Sequence, residues 1–217
     1  MSTQITDIVR CALSAARMAT YEAIAHDADA ALALYAWNAQ ICGALLPPLH
    51  ICEVVVRNAV ADAFEATHGA RWPWNPGFER SLPRQLSPGY NGLSDLQAVR
   101  NKVKTTGQVI AELKFVFWEK TFTSRHDSRI WEPQLMRVLP NLDADKTVAQ
   151  HRKLIFDDLN QVRRLRNRIA HHEPIFARNL LDDFRTIQRL IEARCQVSAD
   201  WMVSQQRVID LIRSKPF

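Results

Sequence analysis

The stretch Leu49-His50-Ile51-Cys52-Glu53-Val54-Val55-Val56-Arg57-Asn58-Ala59-Val60-Ala61-Asp62-Ala63-Phe64-Glu65-Ala66-Thr67-His68-Gly69 sets the fold class. Ile51, Val55, Val56, Ala59, Ala63 and Phe64 recur at steps of three and four residues, which line one side of a helix, and Gly69 supplies its stop. Working outward, the same spacing predicts helices over 6–25, 27–42 with Asp27 as cap, 94–104, 107–122 and 145–170. A further helix begins near Asn179, and a short one covers 204–214. No stretch alternates with period two, so the chain reads as all-α.

From Ala30 to Cys52 there is no formal charge, a span long enough to cross a bilayer. Asn38, Gln40 and His50 interrupt it and Pro47-Pro48 is expected to cut it in two, so it reads as two buried segments of a soluble protein. An apolar fraction of 47% with 24% charged residues is that of an ordinary globular chain, and 217 residues suffice to bury a core without staples. Cys11, Cys42, Cys52 and Cys195 are scattered without zinc-finger spacing, and no signal peptide opens the chain, which points to the cytoplasm.

Between Gly69 and Gly92 lie four of the ten prolines and four of the six glycines, around Trp72-Pro73-Trp74-Asn75-Pro76-Gly77. The expectation is one domain over 1–217 with a long Pro/Gly/Trp loop. That loop is a functional flap, a segment packed by its tryptophans, or a subdomain break over 69–92.

The net charge of +5 is modest, so its location matters more than its size. His151 to His172 carries six basic residues against Asp157 and Asp158, a local excess of +4. Such a run is most often a solvated helix face; the alternative is a surface that attracts phosphate, with Arg163, Arg164 and Arg168 as RNA-binding candidates. At its end stands Arg163-Arg164-Leu165-Arg166-Asn167-Arg168-Ile169-Ala170-His171-His172-Glu173-Pro174-Ile175-Phe176. Pro174 ends the helix, placing His171 and His172 at or just past its terminus. Asn167 shares a face with His171, whereas Arg166 is rotated from His171 by about 140° on an ideal helix. RNA cleavage without metal needs a base for the 2′-hydroxyl, an acid for the leaving 5′-oxygen and a cation for the phosphate, which histidine and arginine can supply.

Four residues separate Arg166 from His171, and a polar residue directly follows the arginine; this resembles the signature of the HEPN group of helical proteins. The likeness extends to its Abi-like (abortive infection) branch through Tyr35-Ala36-Trp37-Asn38, Leu49 to Ala59, Gly107-Gln108-Val109-Ile110-Ala111-Glu112-Leu113 with Phe117-Trp118, and Arg166 to Phe176, four blocks in that family's order. It covers roughly residues 20 to 195. The resemblance implies an all-α HEPN-type bundle with additional helices, a homodimer that brings two Arg/His pairs together, and metal-independent endoribonuclease activity in phage defence or toxin–antitoxin systems. By carry-over Arg166, Asn167 and His171 are the catalytic set, and His172 and Glu173 match the same block. Glu53, Arg57 and Asn58 match another, with an intrahelical Glu53–Arg57 salt bridge as the equal structural alternative. Where some members carry a modified tyrosine two residues after the histidine, this chain has Glu173. RNA is the implied partner, with an antitoxin, protein or RNA, as a second. No cofactor or metal is expected, since consecutive His171, His172 and Glu173 cannot all reach one ion and His126-Asp127 lacks partners at a recognisable spacing. The competing reading is a non-catalytic HEPN module that binds RNA or a partner protein; a helical DNA-binding regulator lacks a helix-turn-helix signal.

Overall fold

The computed structural model describes residues 3–83 and 89–217, and among these there is no strand. The chain is an all-α helical bundle, as its periodicity requires. Helices α1 (Thr3–Leu13) and α2 (Ala15–Glu22) replace the single helix expected over 6–25. The break is Ser14, held at φ 75, whose hydroxyl accepts from the Arg17 amide at 3.4 Å and starts α2.

Helix α3 (Ala28–His68) is the axis of the molecule, about 60 Å long at 1.5 Å per residue. The Asp27 carboxylate accepts from the Ala30 amide at 2.7 Å to start it. Gly69, at φ 83, ends it in a conformation that side-chain-bearing residues rarely adopt. Pro47-Pro48 does not cut it, contrary to the sequence expectation of two segments. Two observations account for this. The carbonyls that lose their amide partners, those of Gly43 and Ala44, border an open hollow lined also by Gln40 and Pro47, where solvent can reach them. On the other side Trp37, Ile41, Leu45, Leu49, Cys52 and Val56 are buried on both flanks of the prolines, so packing holds the helix continuous. By length and composition α3 is apolar enough to cross a membrane; in this fold it is the helix on which α2 and the later elements pack.

The Pro/Gly/Trp segment is packed by its first tryptophan. A 3-10 turn at Trp72–Trp74 and α4 (Pro76–Ser81) fold back so that Trp72 is fully buried, edge-on to Phe64 and Phe78 with ring centres 5.0 and 4.9 Å away. The remainder of that segment, residues 84–88, lies outside the described residues.

Helix α5 (Gly92–Arg100) is followed by α6 (Thr106–Glu112) and α7 (Phe115–Thr121), which together occupy the single helix expected over 107–122. A 3-10 turn at Ser124–His126, a π-helical turn at Asp127–Trp131 and α8 (Glu132–Val138) come next. A capping box of Thr147 and Gln150 then starts α9 (Val148–Ala170). Its seam of Ile155, Leu159, Val162, Leu165 and Ile169 is buried, each side chain stabilising the fold by about 1.5–3 kcal/mol. Helix α10 (Leu180–Arg194) packs along both α3 and α9, and α11 (Gln196–Gln205) and α12 (Val208–Arg213) close the chain.

Candidate active site at the end of α9

The C-terminal turn of α9 is fixed by a Schellman motif. The His171 amide donates to the Asn167 carbonyl at 2.9 Å, that of His172 to Ile169 at 3.1 Å and that of Glu173 to Arg168 at 2.8 Å, with His172 left-handed at φ 55. Glycine usually occupies that position, so a histidine there carries backbone strain. An apolar contact usually closes such a motif; here an Arg168–Glu173 ion pair at 3.6 Å takes its place, and Arg168 also donates twice to the Pro174 carbonyl, at 3.1 and 2.8 Å.

The loop after the turn is tied down from several sides. Arg17 of α2 donates to the His172 carbonyl at 2.7 Å. Buried Asn38 of α3 accepts from the Ile175 amide at 2.8 Å, and Lys215 donates to the Phe176 carbonyl at 3.1 Å. Ile175 and Phe176 are buried, Phe176 against Tyr21 at 5.2 Å between ring centres. His171 and His172 are exposed on this rigid turn, and neither imidazole has a side-chain partner among the described residues.

Arg166 follows Val162 by four residues and Leu159 by seven, so it stands on the row that buries those side chains, yet it is exposed and makes no ion pair or hydrogen bond among the described residues. Asn167, half-buried, is likewise without a side-chain partner. Because α9 stays helical through Ala170, Arg166 and His171 diverge by about 140° around its axis, and one chain does not bring them together.

The other cations of the basic run differ in their engagement. Arg163 is bonded to fully buried Glu119, which Lys120 also approaches, at 3.1 Å, and Asn160 at 3.4 Å. A buried carboxylate needs such compensation, so Arg163 is held in a structural ion pair. Arg152 and Lys153 pair with Asp127 and Asp157. Arg164 is exposed and unpaired beside Asn160, Gln161 and Arg178.

Glu53, Arg57 and Asn58 sit apart from the turn; Glu53 is about 22 Å along α3 from Asn38. The expected Glu53–Arg57 salt bridge is not formed, and Arg57 Nε is buried without a partner. An isolated pair of this spacing contributes only about 0.2–0.5 kcal/mol, too little to dictate either rotamer. Arg17 and Glu119 carry no sequence signal for their roles here, because both contacts join residues far apart in the chain. Asn38 had one, as a polar residue inside an uncharged run. Among the described residues no three His, Cys, Asp or Glu side chains gather as a metal-binding group. Comparison of the chain with protein-family models, with curated proteins and with solved structures finds no match in any of the three.

Proposed function

We propose that the chain is a metal-independent endoribonuclease of the HEPN, Abi-like type that works as a homodimer. The observation that supports it is the end of α9: Arg166, Asn167 and His171 lack side-chain partners among the described residues, at a helix end that the rest of the protein ties down, while Arg152, Lys153, Arg163 and Arg168 of the same helix are engaged. Free polar groups on a fixed frame suit substrate contact, because no internal bond has to break when RNA binds.

In this reading His171 takes the proton from a ribose 2′-hydroxyl, the 2′-oxygen attacks the adjacent phosphorus, and the bond to the 5′-oxygen breaks. Arg166 neutralises the charge that collects on the phosphate, and a second histidine gives a proton to the leaving 5′-oxygen. The products are a 2′,3′-cyclic phosphate and a 5′-hydroxyl. The second histidine comes from a second copy of the chain, since His172 is adjacent to His171 and points elsewhere. Asn167, on the face of His171 and without a side-chain partner among the described residues, is a further polar group for the substrate, and Arg164 adds to the attraction for the RNA backbone.

The divergence of Arg166 and His171 within one chain favours a second reading, a non-catalytic HEPN module that binds RNA or a protein. Purified protein incubated with total RNA in excess chelator separates the two. The nuclease cleaves and leaves 2′,3′-cyclic ends, and His171→Ala and Arg166→Ala each reduce cleavage by about 100-fold or more at unchanged thermal stability. Cleavage that survives both substitutions, or that requires added magnesium, removes this assignment; binding without cleavage supports the module.

A further inference from the structure

Beside the His171-His172 turn lies a cavity of about 310 Å³, lined in part by Tyr21, Tyr35, Asn38, Cys42, Leu46 and His172. That volume is at the lower end for small-molecule sites, which span about 300–1,000 Å³, so it suits a single ring system. Its walls are aromatic: Tyr21 is 1% exposed, and half-exposed Tyr35 meets it edge-on with ring centres 5.1 Å apart.

The polar groups of Tyr21, Asn38 and Cys42 are neutral and incompletely used. The Tyr21 hydroxyl has no hydrogen-bond partner among the described residues. Asn38 is 5% exposed; its Oδ1 is committed to the Ile175 amide, which turns the NH₂ group the other way, toward the Cys42 sulfur at 3.8 Å. A thiol is a weak acceptor, so that NH₂ retains donor capacity. Burial pushes the Tyr21 phenol up to about 12 and the Cys42 thiol up to about 11, so neither is charged at neutral pH. A cation stands next to the lining: Arg17 spends one nitrogen on the carbonyl of His172 and has no other partner among the described residues.

A flat uncharged ring with hydrogen-bonding edges, attached to an anion, matches this arrangement. We infer that the cavity is a nucleobase pocket, in which Tyr35 holds the ring, Asn38 Nδ2 and the Tyr21 hydroxyl read its edge, and Arg17 meets the attached phosphate. Resting on the ribonuclease reading, the base belongs to an RNA strand and lies next to the scissile phosphate, so the pocket sets where the strand is cut.

The test is titration of the full chain with the four nucleoside 5′-monophosphates, with ribose 5-phosphate as comparator, by calorimetry or NMR. None of these has an internucleotide bond, so the result does not depend on cleavage. Binding is expected to differ among the bases and to exceed that of ribose 5-phosphate. Tyr35→Ala should weaken it by about 5- to 150-fold, the range for one lost stacking contact. Tyr21→Phe, which removes a hydroxyl with no protein partner and leaves the fold in place, should reduce discrimination between bases. A cleavage-resistant 2′-O-methyl tetranucleotide containing the preferred base should displace the mononucleotide; failure to displace it overturns assignment to a strand. Equal binding of ribose 5-phosphate, or nucleotide affinities untouched in both variants, overturns the pocket. Base-selective binding by a protein that cleaves no RNA upholds the pocket while the ribonuclease reading fails.

Discussion

His172 occupies a left-handed position where glycine is usual, and its side chain is exposed. His172→Gly should therefore raise unfolding stability by up to about 1 kcal/mol, offset in part by the greater freedom glycine gives the unfolded chain. Urea unfolding measures this; a loss of stability would show that the imidazole, and not the backbone, holds the turn. A second histidine makes a pH prediction. His126 is buried, and burial pushes its pKa down to about 4, with Arg125 and His68 adding repulsion; His68 is itself lowered by burial and by Arg129. Above about pH 6.5, the ordinary histidine value, His126 is neutral whether the chain is folded or not. As pH falls from there toward 4, the unfolded chain takes up a proton that the folded chain refuses, so stability is lost on acidification. Between pH 7 and 5 His126 should account for a loss of about 2 kcal/mol. The carboxylates with lowered values, Asp29, Glu79 and Asp143, act with the same sign but at lower pH, so they leave this window largely to histidine. His126→Gln should flatten the dependence; an identical slope in wild type and variant would count against it.

Among the elements, α3 offers the sharpest test because it runs through two prolines that local rules place at a break. Pro47 is exposed, and its missing amide leaves the Gly43 carbonyl without its helical donor. Pro47→Ala restores that bond and should stabilise the protein by about 1 kcal/mol or more, read as a higher melting temperature; a lower one would mean that the proline shapes the helix against α11 and α12. The helical character of α3, α9 and α10 was legible because each has a long row of apolar residues at one spacing. The course of α3 was not, since the force that overrides Pro47-Pro48 is burial of Trp37, Ile41, Leu49 and Cys52 against residues distant in sequence. Short elements also escaped. The break between α6 and α7 falls at Leu113-Lys114 without glycine or proline, α8 follows a π-helical turn, and α11 has too weak an apolar face for periodicity to reveal it. At the candidate site, the helix end at Ala170 followed from Pro174, whereas the engagement of Arg163 with Glu119 and the hold of Arg17 on His172 depended on contacts that only the folded chain creates.

At the scale of the whole molecule, the question is what lies over Arg166. It sits on the inward row of α9 but is exposed, as is Ala170 one turn further along. An inward-facing helix row that ends in the open is a surface that a second copy can complete, and a twofold axis there would carry Arg166 of one protomer toward His171 of the other. Under the proposed function the divergence of about 140° inside one chain is no obstacle, because the acting groups would come from both chains. Mixing wild type with an equal amount of inactive His171→Ala protein tests this, because every heterodimer keeps both arginines but only one of the two histidines that the proposed reaction needs. Random exchange leaves a quarter of the dimers fully wild type, so RNA cleavage should fall to about half of that of the same amount of wild type unmixed. Sedimentation of the wild type should show a dimer at the concentrations where it cleaves. A fully active monomer would defeat the shared site outright, and cleavage unchanged by mixing, with exchange into heterodimers verified by mass, would show that the two copies of His171 do not act in one site.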